Sequence, residues 1–128
     1  QKYLAINEWS VRVPLTIETI DLKYAYTKTD DSEYARFTFQ RLEDIGICKN
    51  DVGVAMSRTI TENQAPFNID NPEPVAHAGT YYYYLAYGGA PCYDAGDADQ
   101  MKVVNAISPD GNLAAAVKAV LQKLQPAT

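Results

Sequence analysis

The feature that most limits the fold is a run of tyrosines in the second half of the chain. The stretch GTYYYYLAYGGAPC holds four consecutive tyrosines and one more three residues later, which is half of the ten tyrosines in the chain. Aromatic rings favour a pleated surface, where successive side chains point to opposite faces. We therefore predict a strand with two aromatic faces. One face consists of Tyr81, Tyr83 and Leu85, and the other of Tyr82, Tyr84 and Ala86.

Five other strands are predicted from short alternating patterns. KYLAI and VRVPL form the first two, with NEWS as a bend between them. Pro14 has no amide donor, so the second strand should run at a sheet edge or stop there. LKYAYT and YARF flank the turn sequence TDDSE, which predicts a hairpin from Leu22 to Phe37. GVAMSRTI predicts one more strand.

Three helices complete the predicted elements. The first begins after Thr38 as N-cap and stops at Gly46, and DQMKVVNAI predicts the second. The last is the clearest, since apolar residues recur at helical spacing and Pro126 closes it: Leu113, Val117, Val120, Leu121 and Leu124. The sequence therefore predicts an α+β fold, a small antiparallel sheet with a short internal helix and a C-terminal amphipathic helix packed on one face.

Size and charge narrow the class of protein. A chain of 128 residues and 14.1 kDa fits one domain, which we place at 1–128. A net charge of −5 repels phosphate backbones, so nucleic acid is not an expected partner. No apolar run reaches the roughly 20 residues of a membrane helix. The chain begins at Gln1, so we expect any membrane contact to be made through an N-terminal segment missing from it.

The two cysteines leave two interpretations open. Cys48 and Cys92 are too far apart for a C-x-x-C metal or redox motif, and their even number favours a disulfide. A disulfide would indicate an oxidising, extracytoplasmic compartment. The alternative is two separately buried thiols, since free cysteine is often a core residue.

No convincing catalytic or metal-binding set is present, and we expect no cofactor. His77 is the single histidine, and a hydrolase built around it would need a nucleophile that an oxidised cysteine cannot supply. Two acidic turns offer oxygen ligands for calcium: Asp94, Asp97 and Asp99 in DAGDAD, and Asp30, Asp31 and Glu33 in TDDSE. Neither turn has the spacing of an EF-hand loop, so solvated turns are the expected interpretation.

Aromatic side chains and a long loop are the better candidates for binding. Five rings on one strand exceed what one buried face can use, and rings with hydroxyl groups suit contacts with proteins or sugars. The segment Thr61–Gly79 contains several prolines and no periodicity, and long loops are often functional. The candidate binding residues are Trp9, Tyr82, Tyr84, Tyr87 and His77. For Trp9 the alternative is a core position in the first bend.

Three landmarks together resemble a known family. KYLAINEWSVRVPL, YYYYLAYGGAPC and the closing helix LAAAVKAVLQKLQ are similar to a prepilin-like surface-protein family of Patescibacteria, typical of Saccharibacteria-like epibionts. The resemblance covers most of the chain at low identity. Ser10 stands where that family has glycine, which changes the backbone freedom of the bend. Both cysteines match the cysteines of the family, which favours the disulfide.

The resemblance implies a function outside the cell. It implies a type IV pilin or pseudopilin-like subunit, minor pilin-like, or another surface-anchored domain, preceded by a hydrophobic helix. A non-enzymatic role in filament structure or adhesion to a host cell is then expected, with other pilus subunits or a host surface protein or glycan as partners. A carbohydrate-binding surface module that uses Trp9 and exposed tyrosines is the alternative.

Overall fold

The computed structural model describes residues 1–66 and 73–127, which form eight strands, three α-helices and one 3-10 helix. The strands are β1 Lys2–Ile6, β2 Val11–Leu15, β3 Leu22–Lys28, β4 Glu33–Phe39, β5 Val54–Thr59, β6 Ala76–Ala78, β7 Tyr81–Tyr87 and β8 Gln125–Pro126. The helices are α1 Gln40–Asp44, α2 Ala98–Ile107 and α3 Leu113–Leu121, and the 3-10 helix is Asn7–Trp9.

The strands form two antiparallel sheets. The smaller sheet has the order β1-β2-β8, and the larger has the order β3-β4-β5-β7-β6. Residues of β1 contact β3, and residues of β8 contact β6, so the sheets approach each other at both pairs of edges. The inner face of the larger sheet is thereby enclosed, and its outer face is turned away from the smaller sheet.

The core lies on the inner face of the larger sheet, where apolar side chains from alternate strand positions are buried. Phe37, Phe39, Val54 and Met56 have no exposed surface in this layer. Helix α3 contributes Leu113, Val117, Val120 and Leu121 from one face and packs on β2. Its N-terminus is capped by Asn112, whose side chain accepts a hydrogen bond from the Ala115 amide at 3.0 Å.

The predicted α+β class is confirmed, with the strands divided between two sheets. The β3–β4 hairpin pairs Leu22 with Phe39 and Lys28 with Glu33, as the alternation indicates. Pro14 lies in the part of β2 that pairs with β1, and β8 pairs with β2 at Val11 and Arg12. The predicted last two helices are present, while β6 and β8 have no clear signature in the sequence.

The predicted N-cap of the first helix is wrong. Thr38 is buried within β4, and its hydroxyl donates a hydrogen bond to the Cys48 carbonyl at 2.6 Å. Phe39 occupies the cap position without a side-chain hydrogen bond, so α1 begins at Gln40. The segment after α1 folds back over β4. The Thr38 hydroxyl therefore bonds to this segment and not to the amides of the first helical turn. No local sequence pattern reports a contact of this kind.

The disulfide prediction is confirmed. Cys48 and Cys92 are bonded with their Cα atoms 5.0 Å apart, and the described residues contain no free cysteine. The bond joins the segment after α1 to the segment after β7, across a sequence separation of 44. In the chain-entropy model, closing a loop of this length stabilises the fold by about 4 kcal/mol.

Removing the disulfide should lower the free energy of unfolding by about 2–4 kcal/mol. The test is urea unfolding of Cys48→Ser/Cys92→Ser against the unsubstituted protein. Reductant should lower the stability of the unsubstituted protein to the same level and leave the variant unchanged. Equal stability of the two proteins without reductant would contradict a structural role for the bond.

The bend between β1 and β2 uses a left-handed residue. Ser10 has φ 53° and ψ 42° and closes the 3-10 helix, its amide bonded to the Asn7 carbonyl at 3.3 Å. A left-handed conformation costs a non-glycine residue roughly 1–2 kcal/mol. The chain therefore keeps serine in a conformation that a glycine adopts without this cost.

Ser10→Gly should raise the free energy of unfolding by about 0.5 kcal/mol, because relief of the left-handed strain exceeds the extra freedom gained by the unfolded chain. Ser10→Ala keeps the Cβ atom and should bring no such gain. Thermal unfolding of the two variants measures the difference. A glycine variant less stable than the alanine variant would show that the hydroxyl, and not the conformation, governs this bend.

Candidate functional site

Trp9 belongs to the core. The 3-10 helix places its ring over the larger sheet, where it is 4% exposed. The ring lies edge-on to Tyr26, with centroids 5.9 Å apart, and tilted against Tyr83, with centroids 5.7 Å apart. The core interpretation of Trp9 is therefore correct, and the ring has no open face for stacking on a sugar.

The tyrosine strand is buried on both faces near its centre. Tyr83 faces inward and is 1% exposed, as the alternation predicts. Tyr84 faces the other way and is fully buried, so its expected exposure is wrong. Its hydroxyl accepts a hydrogen bond from the Asn63 amide at 2.9 Å. The segment that follows β5 therefore lies over this ring and removes it from the surface.

His77 and Tyr82 form an exposed aromatic pair. They are opposite each other in the β6–β7 ladder, and their rings are stacked with centroids 4.0 Å apart and planes 10° apart. His77 is exposed and Tyr82 half-buried. Partial burial, together with the nearby Glu62 carboxylate, raises the pKa of Tyr82, so its hydroxyl stays protonated. We call these two side chains the His77–Tyr82 surface.

The other candidate residues do not join that surface. Tyr87 is 54% exposed, but it shares the inward face of β7 with Tyr83 and lies at the opposite end of the strand from Tyr82. Of the predicted loop Thr61–Gly79, residues 67–72 lie outside the described residues. The described parts include the segment that covers Tyr84 and strand β6. Both ends of the predicted loop therefore have defined structure that the sequence does not indicate.

In the acidic turn before α2, two carboxylates stabilise local structure. Asp97 caps α2 by accepting hydrogen bonds from the amides of Asp99 and Gln100, and Asp94 accepts one from Gly96. Within residues 1–66 and 73–127, no three His, Cys, Asp or Glu side chains are grouped so that they could hold a metal ion. Asp94 and Asp97 thus act as turn and helix caps.

A charged cluster that sequence analysis missed lies between the sheets. Arg58 projects inward from β5, with its Cζ atom 3.9 Å from the ring centroid of Tyr81 and 5.4 Å from that of Trp9. Its Nε donates to Glu33 Oε1 at 3.1 Å, and the Tyr26 hydroxyl donates to the other carboxylate oxygen. The period-two pattern of Val54, Met56 and Arg58 could have indicated this inward-facing charge.

The electrostatics of the cluster keep both partners ionised. Burial would raise the pKa of Glu33, but hydrogen bonds from Tyr26 and Arg58 outweigh it and hold that pKa below 4.5. Trp9 Nε1 also lowers this pKa, although it makes no hydrogen bond of normal geometry to the described residues. Burial likewise opposes the charge of Arg58, while Glu33 and Tyr83 raise its pKa.

Glu33→Gln should reduce stability at pH 7 by about 1–3 kcal/mol, since it leaves Arg58 without its charge partner in a partly buried position. The lowered pKa of Glu33 means that its contribution is present above pH 4.5 and is lost as the pH falls through the folded-state pKa. The melting temperature of the variant should consequently fall less than that of the unsubstituted protein between pH 7 and pH 3.

The control is Asp31→Asn, which removes a carboxylate from the exposed turn of the same hairpin. It should keep the acid sensitivity of the unsubstituted protein. If Glu33→Gln and Asp31→Asn gave parallel curves of melting temperature against pH, the role assigned to the Glu33–Arg58 pair would be wrong.

A cleft of about 210 Å³ opens beside the cluster. The smaller sheet contributes Trp9, Ser10, Val11 and Pro126 to its walls. The larger sheet contributes Arg58, Ala78, Gly79, Thr80, Tyr81 and Tyr83. We call this space the Arg58 cleft. Gly79, with φ 62°, forms the turn at its rim, and the position of a Cβ there would be open space.

Two other cavities differ from the Arg58 cleft in the charged residues that line them. One of about 230 Å³ beside Tyr87 includes Glu73 and Lys118, and one of about 320 Å³ between β2 and α3 includes Glu18 and Lys123. Both therefore carry charges of both signs. Of the residues in 1–66 and 73–127, Arg58 is the one charged residue that lines the Arg58 cleft.

Comparison with known proteins does not place the chain in a family. No family model matches the sequence, and no curated protein or solved structure matches it either. Within the part of the chain that the structure describes, no helix is long and apolar enough to cross a membrane.

Proposed function

We propose that this chain is a non-enzymatic extracellular contact domain, a subunit of a type IV pilus or a related surface-anchored protein that takes part in filament structure or adhesion to a host cell. The observation that carries the proposal is the His77–Tyr82 surface, in which the exposed His77 ring is stacked on the half-buried Tyr82 ring across the β6–β7 hairpin. Aromatic side chains are enriched at protein interfaces. Each offers a large contact area, and only two side-chain torsion angles have to be fixed on binding.

The disulfide supports the location. A bond between Cys48 and Cys92 persists in secreted and surface proteins and is rare where thiols are kept reduced. Because both cysteines are bonded, neither is a free nucleophile for His77. The ring of His77 is instead stacked on Tyr82, which fits a role in contact better than a role in proton transfer.

Location is tested by recovering the native protein from sheared surface material and from the membrane fraction, and by determining its N-terminus by mass spectrometry. A processed hydrophobic helix in sheared filaments is the result expected for a pilin subunit. A lipidated or uncleaved anchor confined to membranes would replace the pilus assignment with a stationary adhesin.

Contact is tested by His77→Ser/Tyr82→Ser, which should lower attachment to host cells or incorporation into filaments by about tenfold or more, as expected for an aromatic anchor. Because both side chains are at the surface, the melting temperature should change little. The matched control is Tyr87→Ser, which removes an exposed tyrosine from the other face of β7 and should leave attachment unchanged. Equal losses in the two variants would contradict the assignment of the contact to this surface.

The carbohydrate-binding alternative would use a different site from the one predicted at Trp9. Stacking on an exposed Trp9 is ruled out by the burial of that ring. What remains for a sugar is the Arg58 cleft, which offers ring edges, hydroxyl groups and a guanidinium within one small volume.

A further inference from the structure

We infer that the Arg58 cleft binds an acidic sugar, a hexuronate unit whose carboxylate pairs with Arg58. This inference concerns a different surface from the His77–Tyr82 surface and does not depend on it. The ligand class follows from three properties of the cleft, which are its charge, the donors left free at its wall and its size.

The charge of the cleft is opposite to that of the protein. The chain carries a net charge of −5, yet among the residues that the structure describes the walls of this cleft include a guanidinium and no carboxylate. Glu33, the partner of Arg58, lies on the other side of the guanidinium and lines a separate cavity with Asp30 and Asp31. An anion that enters the cleft therefore meets Arg58 without passing Glu33.

Hydrogen-bond donors remain available around the cleft. Arg58 uses Nε for Glu33. Its Nη atoms make no hydrogen bond of normal geometry to the described residues, and the Tyr83 hydroxyl beside the guanidinium raises the pKa of Arg58. One ring face of Tyr81 holds the guanidinium in place, which leaves the in-plane N–H groups as donors. A guanidinium with two parallel donors matches the two oxygens of a carboxylate.

The size and the remaining walls fit a sugar ring. A space of about 210 Å³ accommodates one monosaccharide unit. Ser10, Thr80, Tyr81 and Tyr83 line this space, so its walls combine residues that carry hydroxyl groups with aromatic rings. The absence of a side chain at Gly79 leaves the rim open for the rest of a glycan chain.

The test uses the single tryptophan of the chain as reporter. Its indole N–H gives one signal in a proton–nitrogen NMR spectrum, and Trp9 lines the cleft. Methyl glucuronoside should shift this signal and that of Arg58 Nε in a saturable manner. Methyl glucoside has the same ring without the carboxylate and should bind at least about tenfold more weakly, because a charge-assisted pair is lost.

Two charge variants at one exposed position provide the matched comparison. Thr80→Glu places a carboxylate at the rim and should weaken glucuronoside binding by about threefold to tenfold at low salt. Thr80→Lys alters the same wall residue with the opposite charge and should bind glucuronoside at least about threefold more tightly than Thr80→Glu does. Neither variant removes a core contact, so both should keep the melting temperature of the unsubstituted protein.

Three results would overturn the inference. The first is the absence of a saturable shift with glucuronoside. The second is equal binding of glucuronoside and glucoside, which would leave no role for Arg58. The third is tighter binding of N-acetylglutamate than of glucuronoside, which would assign the cleft to a peptide carboxylate. None of these results bears on attachment through His77 and Tyr82, so the failure of one proposal is distinguishable from the failure of the other.

Discussion

The packing of one tryptophan between the two sheets is the contact on which the rest of the structure depends. Trp9 is carried by the bend of the smaller sheet, but its ring contacts Tyr26 and Tyr83 of the larger one. A large ring buried among other rings contributes several kcal/mol, about 3–5 when it is replaced by alanine. The strained conformation of Ser10 is maintained because it directs the adjacent ring into this position.

The same contact explains how a charged group is kept near the core. Arg58 lies against Tyr81 and near Trp9, and its ion pair with Glu33 receives a further hydrogen bond from Tyr26. Apolar residues of similar volume often serve stability as well as a buried ion pair does. Stability alone therefore does not account for Arg58. Arg58 is a charged residue at an inward-facing strand position, where an apolar residue is expected, and it lines an open cleft. Local departures of this kind from the expected pattern are typical of functional sites.

The sequence predicts those elements whose residues interact with near neighbours. The β3–β4 hairpin and helix α3 have strong periodicity, and both are present where the alternation and the helical stripe place them. The predictions for Thr38 and Tyr84 failed for a common reason. Each side chain is buried by a segment that folds back over the sheet, through the Cys48 carbonyl in one case and the Asn63 amide in the other. Contacts of that type leave no trace in the local pattern.

The candidate site was predictable only in part for a related reason. Tyr82 and His77 were singled out because they are aromatic and lie beside a loop, but their stacking depends on β6, a strand of three residues with no alternating pattern. Arg58 could be placed on the inward face by its spacing, whereas its neighbour Trp9 belongs to the other sheet. A cleft formed between two sheets becomes visible only when the relative position of the sheets is known.

The β6–β7 hairpin connects the two proposed surfaces through the alternation of its side chains. His77 and Tyr82 point outward, while their neighbours Ala78 and Tyr81 line the Arg58 cleft. Tyr83 fixes the hairpin, since its ring is buried against Trp9 and its carbonyl accepts the Val75 amide at 2.7 Å. A hairpin held in this way has little freedom to move when either face is occupied. Occupation of the cleft should therefore leave the outer contact unchanged, because coupling of the two faces would need a second arrangement of the hairpin.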